Sequence, residues 1–511
     1  MLLNKTRIFF ALSLLFYTEF ISAQDDIDAM RYSQTSFYGD SRFMSMAGSF
    51  GALGANLSCM NFNPAGIAMY RNGEFVFTPG IKLQTTNATH YDNNTTDFAS
   101  KVNISTIGFV SAWDSKNTYP TSSKQYANFN QRNAFGISYN RMADFNTNTT
   151  IEGYPVNSSI INDFANVAQG YYPSQLISTY EGLAYQTYLI NSTADLHGGA
   201  DSNHYKGAGQ ANIPLLQNKT IKSSGRMGEL AFSFAHAFND KLYLGATLGI
   251  PLVKYNRQAT YSESDYKSKD SIFRSLKYDE QLLTSGSGYN LKLGAIYRVN
   301  ENIRVGGYVH TPTVLNLTDN YQYSIDATFH RAINTFIPTS AQTTDNMSMQ
   351  ATGYYKYKIT TPARAGASVC YIYNKLLAVN LDAEYVSYSS AKMKGVNDNS
   401  LDALNLTIAS KYASTTNIRI GAELNVRPVV IRAGFATYGS PFGPAFTGKF
   451  VRNTFSAGVG FRGPNNVYLD LGLMYTQWKE DYYLFAAPYV NATQIANSVI
   501  YFTATLGVKF N

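Results

Sequence analysis

The residue types that carry chemistry are few in this chain, and their spacing does not suit it. Six histidines stand at 90, 197, 204, 236, 310 and 330, and none belongs to a His-Glu-x-x-His metal pair. His197 and His204, with Asp195 and Asp201, supply metal-ligand types within one stretch, but polar loop residues account for them as simply. Cys59 and Cys370 lie 311 residues apart and form no disulfide framework. The tract "GALGAN" at 51–56 lacks the strand, glycine loop and helix that a nucleotide site needs. A barrel lipase or protease would need a nucleophile beside a base, and no such arrangement is visible. Lysines and arginines are dispersed, with no basic run for nucleic acid. The chain is therefore expected to be no enzyme, to carry no cofactor or metal, and to bind no nucleic acid.

The elements that would position a site are those of a secreted β protein. The start "MLLNKTRIFFALSLLFYTEFISAQDD" has Lys5 and Arg7, an apolar core from Ile8 to Tyr17, and a cleavage site after Ala23. Residues 1–23 thus read as a secretory signal peptide. Removing Lys5, Arg7 and Glu19 changes the formal charge from +7 to +6. Charged residues make up 15% of the chain, against about 25% in ordinary globular proteins, and aromatics reach 14%. No later stretch is apolar for long enough to cross a membrane as a helix.

Alternation with a period of two runs through the remainder. In "YFTATLGVKFN", Phe502, Ala504, Leu506, Val508 and Phe510 oppose Tyr501, Thr503, Thr505, Gly507 and Lys509. "KLYLGATLGIPL", "NLKLGAIYR", "LAVNLDAEYV", "NIRIGAELNVR" and "NVYLDLGLMY" repeat it. A soluble sandwich would also alternate. However, many of these strands are 11 to 16 residues long, whereas soluble strands commonly have about 5 or 6. Fourteen strands are predicted: 74–88, 101–113, 131–146, 224–237, 241–256, 286–298, 303–327, 347–372, 375–390, 415–427, 429–440, 452–463, 466–479 and 498–510. Tight links ("FND", "VNEN", "YN", "P", "PN") follow even strands, and 114–130 is the long exception. Long links follow odd strands: 147–223, 257–285, 328–346, 391–414, 441–451 and 480–497. An even count with short inner turns and long outer loops predicts a closed, antiparallel, all-β transmembrane barrel of the outer membrane, spanning residues 74–511.

Residues 24–73 precede the first strand. They are rich in Gly, Ala and Ser, with Phe37, Phe43, Phe50 and Phe62 interspersed. Aromatics at that density predict a compact plug inside the barrel, with helical spacing around "MSMAGSFGALGANLS". The run Asn63-Pro64-Ala65-Gly66 reads as a rigid corner between plug and wall, because proline fixes its own φ and restricts the residue before it. In the largest loop, 147–223, Ile160, Ile161, Phe164, Val167 and Ala168 share one helical face, and Leu176, Tyr180, Leu183, Ala184 and Tyr188 share another. Such faces either pack on each other or receive an apolar ligand. The lumen-facing set includes Lys292, Arg298, Arg364, Asp382, Glu384, Arg419, Glu423, Arg427, Arg432 and Asp470.

Three tracts carry a resemblance. "SMAGSFGALGANLSCMNFNPAGIAMYR" resembles the N-terminal signature of the outer-membrane long-chain fatty acid transporter family, most closely its Bacteroidetes-type members. "GELAFSFAHAFNDKLYLGATLGIP" resembles that family's fourth and fifth strands, and "TSGSGYNLKLGAIYRVNENIRVGGYVHTPT" its sixth and seventh. The resemblance implies a fourteen-stranded barrel closed by an N-terminal hatch that contains Asn63, Pro64, Ala65 and Gly66. It implies passive, gated diffusion of hydrophobic molecules such as long-chain fatty acids. These would be captured at outer loops, pass to an interior apolar pocket, and leave sideways at an inward kink of strand 3. The pattern of that strand breaks near Asn140 to Asp144. Phe37, Phe43, Phe50, Phe62, Phe164, Leu176, Tyr180 and Leu183 are the candidate ligand-path residues. The partners implied are hydrophobic small molecules, outer-membrane lipid and, during biogenesis, the barrel-assembly machinery, with the chain a monomer. A polar-solute channel and a surface adhesin without transport are the rival readings.

Overall fold

Side chains that alternate between lipid and lumen close this chain into a barrel. The computed structural model describes residues 25–114, 131–176, 179–197, 202–209, 213–338, 340–396, 401–444, 450–464, 466–486 and 490–510. The segment read as a signal peptide lies outside these, as do Asp201 and nearly all of link 114–130.

The first six strands are β1 (Gly73–His90), β2 (Asn93–Asp114), β3 (Arg132–Asp144, resumed as Thr147–Val156), β4 (Leu215–Phe238), β5 (Leu242–Ser264) and β6 (Phe273–Arg298). Next come β7 (Ile303–His310, resumed as Val314–Phe329), β8 (Asn346–Thr360, resumed as Arg364–Tyr373) and β9 (Leu377–Ser387, resumed as Lys392–Gly395). The last five are β10 (Ser414–Val426), β11 (Val429–Tyr438), β12 (Arg452–Arg462), β13 (Val467–Tyr482) and β14 (Thr493–Phe510). Every neighbour is antiparallel, and β1 closes on β14 from Gly73↔Phe510 to Thr89↔Gln494. All fourteen predicted strands are present in the predicted order.

The outward set is as the alternation requires. Leu244, Leu248, Leu252, Leu291, Leu293, Ile418, Ile420, Leu471 and Phe502 are exposed, while Tyr243, Lys292, Arg419, Asp470 and Tyr501 are buried in the lumen. Of the predicted lumenal charges, Arg427 is instead exposed at the turn between β10 and β11.

Several strands run further outward than their apolar pattern. The expected link 147–223 contains Thr147–Val156 and the first nine residues of β4, so its loop is 157–214. The link after β1 is the two-residue turn Tyr91-Asp92, with both residues at positive φ. These extensions are rich in Thr, Ser and Asn. Above the membrane both strand faces meet water or loops, so hydropathy no longer marks them.

Residues 25–72 sit inside the barrel. Helix α1 is Asp26–Ser33 and α2 is Ser41–Ser45, followed by 3-10 turns Leu57–Asn61 and Pro64–Met69. The helix expected over "MSMAGSFGALGANLS" is absent beyond Ser45. Ala47, Gly48, Gly54 and Ala55 take positive φ, which ends α2 and folds the chain into consecutive turns. Phe37, Phe43, Phe50, Met44 and Met46 form the plug's own core against Cys370, Tyr438 and Tyr501 of the wall.

Candidate functional site: the hatch corner and the wall gap

Asn63 joins the plug to the wall. Its Nδ2 donates to the carbonyls of Gly51 (2.6 Å), Ala295 in β6 (3.1 Å) and Gly307 in β7 (3.3 Å). Its Oδ1 accepts from Ala65 N at 3.2 Å, which caps the 3-10 turn that Pro64 begins. The corner lies flat on the wall because glycines face it. A Cβ on Gly294 would stand 1.9 Å from Asn63 Oδ1, and one on Gly245 would stand 2.4 Å from the Pro64 carbonyl carbon. Gly245 and Gly294 are cross-strand partners, so β5 and β6 form a seat without side chains.

Polar contacts hold the rest of the plug. Ser41 N donates to Thr505 Oγ1 at 2.7 Å, and Asp382 accepts from Ser49 Oγ at 2.6 Å and Gly51 N at 3.0 Å. Arg42 is bidentate on Glu423 at 2.7 and 2.8 Å. Glu423 also pairs with Arg432, which pairs with Asp470 at 2.9 Å. Charge-assisted bonds of this kind are the strong class, and here they are shielded from water. Of the expected lumenal charges, Asp382, Glu423 and Arg364 bond the plug, while Lys292, Glu384, Arg432 and Asp470 pair within the wall.

Among the described residues the wall's ladder is interrupted beside β3. β2 and β3 pair only from Thr106↔Asn140 to Asp114↔Arg132. Against β4, β3 carries an extra residue at Met142, a β-bulge that bends the strand. Below it Ala134, Ser138 and Asn140 face inward; above it Thr149, Ile151 and Gly153 do. At the bend Asp144 accepts from Lys82 Nζ (3.1 Å), Arg141 Nη1 (3.1 Å) and Asn146 Nδ2 (2.9 Å). From Phe98 to Ile104, about 20 Å of strand, β2 has no main-chain partner in β3. Side chains seal both ends of this window. Arg141 Nε reaches the Ile104 carbonyl at 3.4 Å below, and Asn148 Nδ2 reaches the Phe98 carbonyl at 3.0 Å above. The outward face of β2 is open there, with Val102 70% and Phe98 59% exposed.

A cavity of about 330 Å³ lies beside the bend, lined by Lys82 of β1, residues 143–147 at the bend, Phe37 and Tyr38 of the plug and, on the far wall, Tyr438, Arg452 and Trp478. A narrower one of about 60 Å³ lies past Tyr38, beside Phe62, Arg141 and His310. The first volume is at the small end of ligand sites.

The eight candidate path residues divide into two groups. Phe37 and Phe62 line the cavities, while Phe43 and Phe50 are buried within the plug. Phe164, Leu176 and Leu183 are buried in a separate outer cluster, with Tyr180 against it. There helix α3 (Ile160–Ala168) and helix α4 (Tyr180–Gln186) pack on each other and on Phe329, Ile333 and Phe485. The two apolar loop faces therefore cap the barrel by packing together. Glu263, at the outer end of β5, ties this cap down. It accepts from Ile160 N at 2.7 Å, Gln217 Nε2 at 3.1 Å, Ser159 and Tyr261. Burial pushes its carboxyl up to about 7 against those four donors. Glu263 escaped the sequence reading, although an acid on the inward parity of a strand was a visible signal.

A model of the family described as outer membrane protein transport protein (OMPP1/FadL/TodX) matches residues 229–484, just over half of the chain. The chain belongs to this family. Its FadL/TodX-type barrel is also similar to solved structures. A Pseudomonas aeruginosa FadL homologue is 13% identical with a TM-score of 0.53, over 94% of this chain and 99% of that one. The P. putida toluene transporter TodX is 10% identical with a TM-score of 0.52, over 93% and 99%. At these identities the likeness establishes the shared fold. No curated protein matches the chain. As a FadL/TodX-family member, the chain is a multi-pass β-barrel transport protein of the outer membrane and not an enzyme. Among the described residues no His, Cys, Asp or Glu cluster is placed to hold a metal ion.

Proposed function

We propose that this barrel takes up hydrophobic molecules by passive, gated diffusion and releases them sideways into the membrane through the window beside β3. The observation that carries this reading is the coincidence of three features: a plug occupying the lumen, a cavity between the plug and the bend of β3, and an unpaired stretch of the β2–β3 wall at that bend. A pore for polar solutes would have no use for a break in its wall. Residues 24–73 act as the hatch, and Asn63-Pro64-Ala65-Gly66 is its fixed corner. Phe37 and Phe62 are the path residues within the barrel. Phe164, Leu176, Tyr180 and Leu183 form the first apolar surface met once the cap loosens.

Long-chain fatty acids or similar lipids are the favoured cargo. Transfer out of water gains roughly 0.8 kcal/mol per CH2, so a long chain partitions strongly without energy coupling. Toluene is the cargo named for the similar TodX, so small aromatic hydrocarbons are the competing class. The N-terminal tract also supports placing the chain among Bacteroidetes-type members. Uptake of a labelled long-chain fatty acid by cells that express the barrel tests the reading, beside conductance in planar bilayers. Saturable uptake with little steady ion current is expected. A large steady current without fatty acid uptake would replace it with a polar-solute channel.

A further inference from the structure

The outward face of the barrel changes character above its apolar belt. On β5 the exposed leucines end at Leu252, and the next outward residue is Lys254. On β6 the belt ends at the exposed Tyr289, and Ser287 and Ser285 follow. An aromatic residue at the rim of the belt marks the level of the lipid head groups. Strand register carries this level across to β8. Tyr289 pairs with Val314 of β7, and Val314 pairs with Thr360 of β8. The next two outward residues of β8 are Lys358 and Lys356, both exposed, whereas Tyr357 and Ile359 are buried in the lumen.

Strand β9 adds two more. Lys392 and Lys394 are exposed on its resumed segment, and Met393 between them is buried. Lys394 is the register partner of Lys358, and Lys392 is that of Thr360. Side chains opposed in this way have Cβ atoms about 4.5–5.5 Å apart, and like charges so placed destabilise the pair. The register that buries Tyr357 and Met393 forces Lys358 against Lys394. Among the described residues no Nζ of these lysines has an ion-pair or hydrogen-bond partner. Asp319 and Glu384, on the neighbouring strands, are turned inward and buried. The first outward acid on β7 above this level is Asp326, whose partner Ser348 lies about 27 Å along β8 from Lys356. The sheet therefore gathers Lys356, Lys358, Lys392 and Lys394 at head-group height without a counter-charge. They are far from the cargo route. The β8–β9 pair stands six strands round the ring from the β2–β3 window, and none of these lysines lines either cavity.

We propose that Lys356, Lys358, Lys392 and Lys394 bind the phosphate head of an outer-leaflet glycolipid. The row lies toward the long-loop end of the barrel, so the leaflet it meets is the outer one. Clustered bases at that height attract anionic lipid. A phosphate monoester carries about −1.5 to −2 charge and three acceptor oxygens, which suits clustered ammonium groups better than a singly charged diester does. Lysine meets phosphate as a point charge and needs no bidentate alignment. The acyl chains then lie along the exposed Val369, Leu381 and Tyr385 below. The bound phosphate also supplies the missing counter-charge between Lys358 and Lys394. It thereby tightens a β8–β9 contact that, above the break in β8, runs only from Tyr357↔Gly395 to Thr360↔Lys392.

The test titrates the full barrel in neutral detergent with bisphosphorylated lipid A, its dephosphorylated form and phosphatidylglycerol. Bound lipid per barrel and the midpoint of heat-induced unfolding are measured. The variants are Lys358→Gln with Lys394→Gln, Lys358→Arg with Lys394→Arg, and Lys356→Gln with Lys392→Gln. Lipid A should raise the unfolding midpoint of wild type. It should bind about thirtyfold more weakly to either Gln variant, at roughly fivefold per lysine near an anionic surface. The Arg variant should keep the binding. Without lipid, Lys358→Gln with Lys394→Gln should be at least as stable as wild type, because the opposed charges are gone. Lysines with a merely structural role would instead lower stability with and without lipid, and that result would overturn the proposal. Lys356→Gln with Lys392→Gln leaves the opposed pair intact and serves if the first double variant does not fold. Undiminished binding in the Gln variants, or equal binding of dephosphorylated lipid A, would also overturn it. Phosphatidylglycerol that binds as tightly as lipid A, with the same loss in the Gln variants, would show a general anionic-lipid surface and overturn the glycolipid assignment.

Discussion

Asn63 holds three carbonyls from three segments with one amide, and no other residue type of its size reproduces that. Alanine there leaves the Gly51, Ala295 and Gly307 carbonyls without their donor, at a cost of about 1–3 kcal/mol to hatch seating. The barrel should still assemble, since none of its ladders passes through Asn63. Uptake per folded barrel should change and small-ion leakage should rise in Asn63→Ala. Unchanged leakage and uptake, normalised to heat-modifiable protein, would show that the corner merely begins β1. Gly294→Ala tests the same contact from the wall. Its Cβ would fall 1.9 Å from Asn63 Oδ1, so the corner must lift, and the leak should match or exceed that of Asn63→Ala. The sequence allowed Asn-Pro-Ala-Gly to be read as a corner, because proline and asparagine act locally. It did not reveal the seat. Gly245 and Gly294 are 49 residues apart in the chain and meet only through strand register.

At the scale of elements, β3 depends on one residue. Met142 is the bulge, and the inward parity changes from even to odd across it. That change is why the alternation broke near Asn140 to Asp144. Sequence placed the disturbance but could not tell a bulge from a wet strand end, because both interrupt alternation. Deleting Met142 would bring both halves of β3 into one register with β4. It should let β3 pair with β2 past Asn140 and close the window. Folded barrel should persist while uptake of hydrophobic cargo is lost. Normal uptake by the deletion variant would remove the lateral route.

The outer cap has its own element-scale dependence. Glu263 binds a proton more tightly in the folded cap than in an open one, since its carboxyl is raised from 4.5 to about 7. The closed cap is thus favoured at acidic pH and loses stability as pH rises from about 4.5 through about 7, with little further change above. Hydrogen exchange of Ile160–Ala168, corrected for intrinsic rate, should quicken over that interval in wild type. Glu263→Gln should flatten the dependence. A wild-type profile that is itself flat would exclude this carboxyl as the cause.

For the whole molecule, what closes the barrel to ions is the remaining question. Two barriers lie in series: the plug, and the cap formed by α3, α4 and the loops around Phe329 and Phe485. The plug is bonded to β2, β6, β7, β9, β10 and β14. The cap is built from loop segments and sits on the water side, where local opening costs less than global unfolding. The barrel, its strand count and its inner and outer faces were legible, because a period of two and loop parity are imposed at every strand by lipid and lumen. The closed cap was not, since an apolar helical face reads alike whether it meets a ligand or another loop. Deleting residues 27–62 should leave a folded barrel, because β1 pairs with β14 and β2 without them. In planar bilayers this variant should pass a current that wild type lacks. The current should flicker as the cap opens and closes, unlike the steady current of a porin. A folded but silent deletion variant would make the cap the ion seal, and the hatch would then bar only the hydrophobic cargo.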